Sequence, residues 1–279
     1  MKKILFILLI IIQFYSAWSQ NDNSTEKMIY QFNRKVEIPV TIGFFASNYL
    51  GFHLLNEKKT LDASQIVSLD INDVWFFDRL AVTQPYSSSA RENARKLSDW
   101  GVGTSFVLPA LLFLDKKIQK DYLDILLLYL ETQAISSTLY VYPGPLFTKR
   151  IRPFAYYPEI PIEEKLLVGS TDSFFSGHTT SAATASFFMA KVYTDYHPET
   201  KGKKWLFYTA AIIPPAFVGY YRYKALKHFP TDVLTGMAVG AAVGILIPEL
   251  HKFRPEKIQN LSIVPFTGSI TGLTVQFEI

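Results

Sequence analysis

Six long apolar segments are the feature that most limits how this chain can fold. They lie at roughly 36–55, 99–115, 122–142, 177–194, 205–221 and 232–249. Segments of this length with few charges form helices that cross a bilayer or pack together in a bundle. No internal repeat or low-complexity linker separates them. We therefore predict a single all-α domain over residues 36–250, built as a six-segment helical bundle.

Composition favours a membrane-embedded bundle. Hydrophobic residues make up 49% of the 279 residues and aromatic residues 15%, which is more than a soluble core needs. The mean hydropathy of +0.13 is nevertheless low for helices fully immersed in lipid. Asp124 and Glu131 in the third segment fit a soluble periplasmic bundle, which is the alternative.

Both ends of the chain differ from this domain. Residues 1–19 begin with two lysines, continue as an apolar run and end in small residues, as a secretory signal peptide does. An uncleaved anchor is the alternative. Residues 20–35 form a polar linker. Residues 251–279 alternate apolar and polar side chains around two glycines, which predicts a short C-terminal β-hairpin without an assigned function.

Charge and cysteine content exclude several functions. The net charge of +4 comes from short scattered clusters rather than from one basic face, so nucleic-acid binding is not expected. The absence of cysteine excludes thiol catalysis, thiolate metal sites and disulfides. No cofactor, metal or protein partner is inferred.

The lysine clusters predict which loops face outward. If the clusters after the second, fourth and sixth segments are cytoplasmic, the loops at 143–177 and 222–231 face the periplasm or exterior. A cleaved signal peptide would conflict with this arrangement if segment 36–55 also crossed the bilayer. The simplest resolution is that this segment, which carries Glu37 and Pro39, does not cross.

Polar clusters in the outward loops suit a phosphoryl group. They consist of Arg152; of Ser176, Gly177 and His178; and of Arg222, His228 and Asp232. Arginine binds phosphate oxygens through two parallel hydrogen bonds. The Ser-Gly-His triplet precedes a helix, whose free amides and positive dipole end favour an anion, and glycine lets that backbone come close.

The second histidine has the setting of a nucleophile. Pro230 is suited to the first turn of a helix, which places Asp232 inside that turn and His228 just before it. A carboxylate there can accept a hydrogen bond from one ring nitrogen and leave the other with its lone pair. His178 could then protonate the leaving alkoxide as general acid. The ordinary histidine pKa of about 6.5 suits both roles.

The order Arg-Pro, Ser-Gly-His and Arg-x5-His-x3-Asp resembles the type-2 phosphatidic acid phosphatase family, over roughly residues 60–250. This family shares its site with bacterial class A acid phosphatases and vanadium haloperoxidases. The resemblance implies that His228 attacks phosphorus and forms a phosphohistidine, that Asp232 supports it, and that His178 protonates the departing alcohol. It implies no metal, and it implies phosphate-binding roles for Arg152, Arg222, Ser176 and Gly177.

The chain departs from the family pattern at three positions. Pro145 stands where the family has a lysine, seven positions before the arginine of the first motif. Lys149 or Arg150 is a candidate to supply the missing charge. Phe175 replaces a proline before Ser-Gly-His, and Tyr221 replaces a serine before Arg222. The last change removes a phosphate hydrogen bond and predicts a weaker or differently tuned site.

The predicted function is an extracytoplasmic, metal-independent phosphatase. A site at the outer boundary of apolar helices favours a membrane lipid phosphate as substrate, whether monoester or diphosphate. The alternatives are a soluble periplasmic non-specific acid phosphatase, a vanadium haloperoxidase and a non-catalytic lipid-binding bundle.

Overall fold

A computed structural model describes residues 29–252 and the strand residues 261–266 and 272–277. The signal peptide predicted at 1–19 lies outside the described residues, as does the linker up to residue 28.

The described part is mostly helical. Its α-helices are α1 (Arg34–Asn56), α2 (Ala63–Val67), α3 (Ser88–Val107), α4 (Tyr122–Val141), α5 (Ile162–Lys165), α6 (Gly177–Tyr196), α7 (Lys204–Ala210), α8 (Ile213–Lys224) and α9 (Pro230–Leu250). Short 3₁₀ turns lie at Ile71–Asp73, Arg79–Ala81, Leu108–Leu114, Gln119–Asp121, Pro153–Tyr156 and Pro198–Lys203, and a π turn lies at Tyr142–Leu146. Strands β1 (Leu261–Phe266) and β2 (Gly272–Phe277) pair antiparallel in the region where a hairpin is predicted.

Two segments differ from the sequence prediction. Helix α3 begins at Ser88 rather than near residue 99, because its first turns are polar and give no apolar signal. Ser87 caps this helix by accepting a hydrogen bond from the Ala90 amide at 3.4 Å. The fifth segment divides into α7 and α8. Proline in a helix interior removes a backbone hydrogen bond but fits the first turn, so the consecutive prolines after Ile213 suit the start of a new helix.

Helix α6 lies at the centre of the bundle and packs most extensively against α9. Glycines on α9 permit this contact. A Cβ atom at Gly240 would lie 2.2 Å from the carbonyl oxygen of Thr180, and one at Gly236 would lie 2.6 Å from that of Ser176. Close approach of two helices through small residues is typical of membrane bundles. It holds the beginning of α9 beside the beginning of α6, where the predicted site residues lie.

Within the described residues, three helices are long and apolar enough to cross a membrane: Arg34–Asn56, Ser88–Leu114 and Pro230–Leu250. These helices favour a membrane location. Helix α1 is among them despite Glu37 and Pro39. The prediction that segment 36–55 does not cross the bilayer therefore has no support from the length and composition of this helix.

Candidate active site

His228 lies in the short loop between α8 and α9 and is 2% exposed. Its Nδ1 atom is 2.6 Å from the backbone carbonyl oxygen of Ser173. Because a carbonyl can only accept, Nδ1 carries the proton and Nε2 keeps its lone pair. The geometry therefore fixes the ring in the tautomer that a nucleophile needs.

Asp232 does not make the contact expected from the sequence. Its Oδ2 atom is 3.8 Å from His228 Nδ1, which is too long for a hydrogen bond. Instead Oδ2 accepts from the Ser173 hydroxyl at 2.6 Å and from the Phe229 amide at 2.8 Å, and Oδ1 pairs with Arg150. Since Asp232 lies in the first turn of α9, its carboxylate caps that turn and reaches Ser173 rather than the ring. Asp232 is thus connected to His228 through Ser173.

Two arginines lie close to His228 with unused hydrogen-bond donors. Arg152, in the loop after α4, donates from Nη2 to the Asp172 carbonyl at 3.2 Å. Arg222, near the end of α8, places Nη1 3.5 Å from Asp99 Oδ1. The Nε atoms of both arginines are buried and have no hydrogen-bond partner in the described structure. Buried unpaired donors are costly, so these two side chains have the properties of an anion-binding pair.

His178 lies at the start of α6, and its side chain is 37% exposed. Its Nε2 atom is 3.2 Å from Asp99 Oδ1. Asp99, on α3, thus contacts both His178 and Arg222, and its Oδ2 atom accepts from Arg95 at 3.2 Å. No motif contains Asp99, and the sequence analysis missed it because only packing of α3 against α6 and α8 brings it here.

Ser176 and Gly177 have contacts that differ from their predicted roles. The Ser176 amide donates to the Asp232 carbonyl at 3.1 Å, and its buried hydroxyl shares a 2.9 Å hydrogen bond with Thr179. A Cβ atom at Gly177 would lie 2.8 Å from the ring of Tyr140, so glycine is needed there for packing. The first amides of α6 have no intrahelical partner, and no side chain in the described structure caps them.

The two residues proposed to replace the missing lysine have different surroundings. Lys149 is exposed. Arg150 forms ion pairs with the fully buried Asp78 and Asp232 and lies over the Phe229 ring at 4.5 Å. Its Nη1 and Nη2 groups are thus used by Asp78, Thr231 and Asp232, the last of which also accepts from Ser173.

A lysine from another element does lie beside Pro145. Lys58 Nζ donates to the carbonyls of Pro145 and Thr148 at 2.5 and 2.7 Å, and to Asp172 Oδ1 at 2.7 Å. These contacts use all three donors of the ammonium group, so Lys58 stabilises the loop and is not available to an anion.

Lys227, which the sequence analysis also missed, adds a cation beside His228. Burial lowers the pKa of Lys227 to about 8, with further lowering by the charges of Arg152 and Arg91. Burial also lowers the pKa of His228 well below its usual value, and Arg152 and Arg222 lower it further. His228 is therefore neutral, and the positive charge around it is suited to an anion.

Comparison with known proteins agrees with these motifs. The PAP2 superfamily, that of the type-2 phosphatidic acid phosphatases, matches residues 121–256, which confirms the resemblance that the motifs indicate. Among solved structures, the chain is similar to the first transmembrane PAP2 type phosphatidylglycerolphosphate phosphatase from Bacillus subtilis. The identity is 20% and the TM-score is 0.43, with 77% of this chain and 94% of that chain covered. No curated protein matches the chain significantly.

Proposed function

We propose that this chain is a membrane phosphatase that hydrolyses a lipid phosphomonoester or diphosphate on the extracytoplasmic side, with His228 as the nucleophile. The match to the PAP2 superfamily supports phosphatase chemistry. The observation that carries the proposal is the setting of His228: a neutral ring with Nδ1 bound to Ser173, close to two buried arginines whose Nε donors have no partner.

In the first step, the Nε2 lone pair of His228 attacks phosphorus, and the bond between phosphorus and the ester oxygen breaks. The electron pair of that bond leaves with the oxygen, which takes a proton from the His178 ring. Arg152 and Arg222 bind the equatorial oxygens, where negative charge develops. A bound phosphate dianion also favours the protonated form of the nearby His178 ring, so substrate binding prepares the general acid.

In the second step, water attacks the phosphohistidine at phosphorus. The neutral His178 ring takes a proton from this water, and the bond between phosphorus and Nε2 breaks with its electrons returning to His228. Inorganic phosphate leaves, and both histidines regain their starting protonation. Asp99, at 3.2 Å from His178, holds the ring in position through both steps.

Exposed aromatic residues near the site support a lipid substrate. The side chains of Trp75, Phe76 and Phe77 are largely exposed, and the next residue, Asp78, binds both Thr231 and Arg150. Aromatic residues are enriched where a membrane protein meets the headgroup region. This loop therefore favours a site located at the level of lipid headgroups.

A surface groove beside the site supports the same substrate class. It is an open depression of about 450 Å³, lined by residues of α3 alone: Asp99, Trp100, Gly103, Thr104 and Val107. Asp99 at one end contacts His178, while Trp100 and Val107 are exposed apolar side chains. A lipid with its phosphate at His228 could place the first part of its acyl or prenyl chain in this groove.

Phosphate release from purified protein in detergent tests the proposal. The substrates are a panel of lipid phosphates and one small aryl phosphate, with a chelator present. We expect chelator-resistant activity that favours a lipid and is lost in His228→Ala, while the exposed-histidine variant His53→Ala keeps it. Preference for the aryl phosphate would favour a non-specific acid phosphatase, and full activity in His228→Ala would overturn the proposal.

A further inference from the structure

A second cluster of chemically active side chains lies away from His228. Glu37 on α1, Glu131 on α4 and His251 after α9 each place one ligand atom within 4.8 Å of the other two. His251 follows the end of α9 and His228 precedes its beginning. A helix of 21 residues is about 30 Å long, so the cluster is separate from the phosphatase site.

The distances in this cluster do not fit hydrogen bonds. His251 Nε2 is 3.6 Å from Glu37 Oε1 and 3.5 Å from Glu131 Oε2. A hydrogen-bonded pair of this kind would be about 2.7–2.9 Å apart. His197 provides an internal comparison, since its two ring nitrogens are 2.9 and 2.7 Å from Asp115 and Glu199.

The same distances fit ligands of a single metal ion. Zinc binds histidine nitrogen and carboxylate oxygen at about 2.0–2.2 Å in tetrahedral sites, and this geometry separates neighbouring ligand atoms by about 3.3–3.6 Å. Two carboxylates and one neutral imidazole also carry the charge that balances a divalent cation. The donor set of one nitrogen and two oxygens suits a transition metal better than Mg²⁺ or Ca²⁺.

The histidine is already in the tautomer that binds metals. His251 Nδ1 is 2.9 Å from the Ile247 carbonyl oxygen, which can only accept, so Nε2 presents its lone pair to the two glutamates. A hydrogen bond from the second ring nitrogen to a carbonyl is the usual support for a metal-binding histidine. The ring also lies nearly parallel to that of Phe32, with the two centroids 6.1 Å apart.

An unpartnered buried atom points into the cluster. Glu131 is 5% exposed, and its Oε2 atom, the one 3.5 Å from His251, has no hydrogen-bond partner in the described structure. A buried carboxylate oxygen without a partner is costly and needs a cation or a donor. Ionisable residues on apolar helices commonly mark a functional site.

We propose that Glu37, Glu131 and His251 bind one divalent transition-metal ion, with Zn²⁺ as the best fit. The ion joins α1, α4 and the end of α9, and a fourth position is left for water. Glu37 and His251 are partly exposed, at 20% and 13% of their side chains, so the site is accessible to an ion.

Metal binding to the full chain in detergent tests this proposal. The protein is stripped with a chelator, freed of it, and titrated with Zn²⁺ by calorimetry and with Co²⁺ by absorption spectroscopy. We expect one ion per chain, the strong visible absorption of four-coordinate Co²⁺, and a higher Tm with Zn²⁺. Glu131→Gln and His251→Gln should each weaken binding about 100-fold or more.

The matched control is His197→Gln, which removes a histidine that also lies between two carboxylates. It should bind Zn²⁺ like the wild type. Hydrolysis of the aryl phosphate reports whether each variant is folded. If Glu131→Gln or His251→Gln does not fold, Glu37→Gln is used in its place. Equal Zn²⁺ affinity in all variants, or loss of binding only in His197→Gln, would overturn the proposal.

Discussion

The Nδ1 atom of His228 is 2.6 Å from the backbone carbonyl of Ser173, whose hydroxyl is 2.6 Å from Asp232. One residue therefore connects the His228 ring to the buried carboxylate of Asp232. A main-chain carbonyl is held by the fold and does not titrate, so it fixes the tautomer of the neutral ring wherever that form exists. Under the proposed function, we expect Asp232 to act as a positioning residue that holds Ser173.

Removing the Ser173 hydroxyl should therefore slow turnover without preventing binding. In Ser173→Ala the carbonyl remains, but its link to Asp232 is lost, and we expect kcat to fall about tenfold with KM nearly unchanged. Ser170→Ala is the matched control, because Ser170 is also buried in this loop and its hydroxyl has no partner in the described structure. Equal losses in both variants would show that the effect is only structural.

The pH profile should reflect the lowered pKa of His228. The ring must be neutral to attack, so activity is present above its pKa and is lost as the pH falls through that value. Burial, then Arg152 and Arg222, hold this pKa well below 6.5. We expect the acid limb of kcat/KM to lie below pH 6.5. If the acid limb lay at pH 6.5 or above and arose from titration of His228, the assignment of a lowered pKa to this ring would be contradicted.

The groove on α3 predicts a dependence on substrate chain length. A Cβ atom at Gly103 would meet nothing within 4 Å, so Gly103→Leu should fold normally and fill the groove. We expect kcat/KM to fall about tenfold for a long-chain lipid phosphate and to stay unchanged for the aryl phosphate. Gly43→Leu on α1, where a Cβ also meets nothing, controls for added apolar surface. A uniform effect on both substrates would exclude the groove as a chain-binding site.

The two basic residues after Thr148 should behave differently from each other. Lys149→Ala removes an exposed charge and should leave activity and Tm unchanged. Arg150→Ala leaves Asp78 and Asp232 buried without their cation, which should cost on the order of 3 kcal/mol of unfolding free energy. Thermal unfolding and phosphate release measure both effects. A large loss of activity in Lys149→Ala would instead support Lys149 as a phosphate-binding residue.

The sequence identified candidate site residues, but several of their contacts could be seen only in the structure. The helix that begins near Pro230 and the loop positions of Arg152 and His178 followed from local patterns. The contact between His228 and Ser173 could not be predicted in this way. A carboxylate four positions after a histidine, as Asp232 is, can either bind the ring or cap the helix, and the sequence fits both equally. Asp99 carries no local signal, since only helix packing brings it to His178. Lys227 directly precedes His228, but its partial burial is seen only in the structure. The division of the fifth segment was visible in its paired prolines.

Trapping the phosphoenzyme tests the central claim most directly. The protein is mixed with a radiolabelled lipid phosphate, quenched during turnover and digested to map the label. We predict a base-stable, acid-labile label on His228 that is absent from His228→Ala. Label on another residue, or undiminished turnover by His228→Ala, would contradict the account.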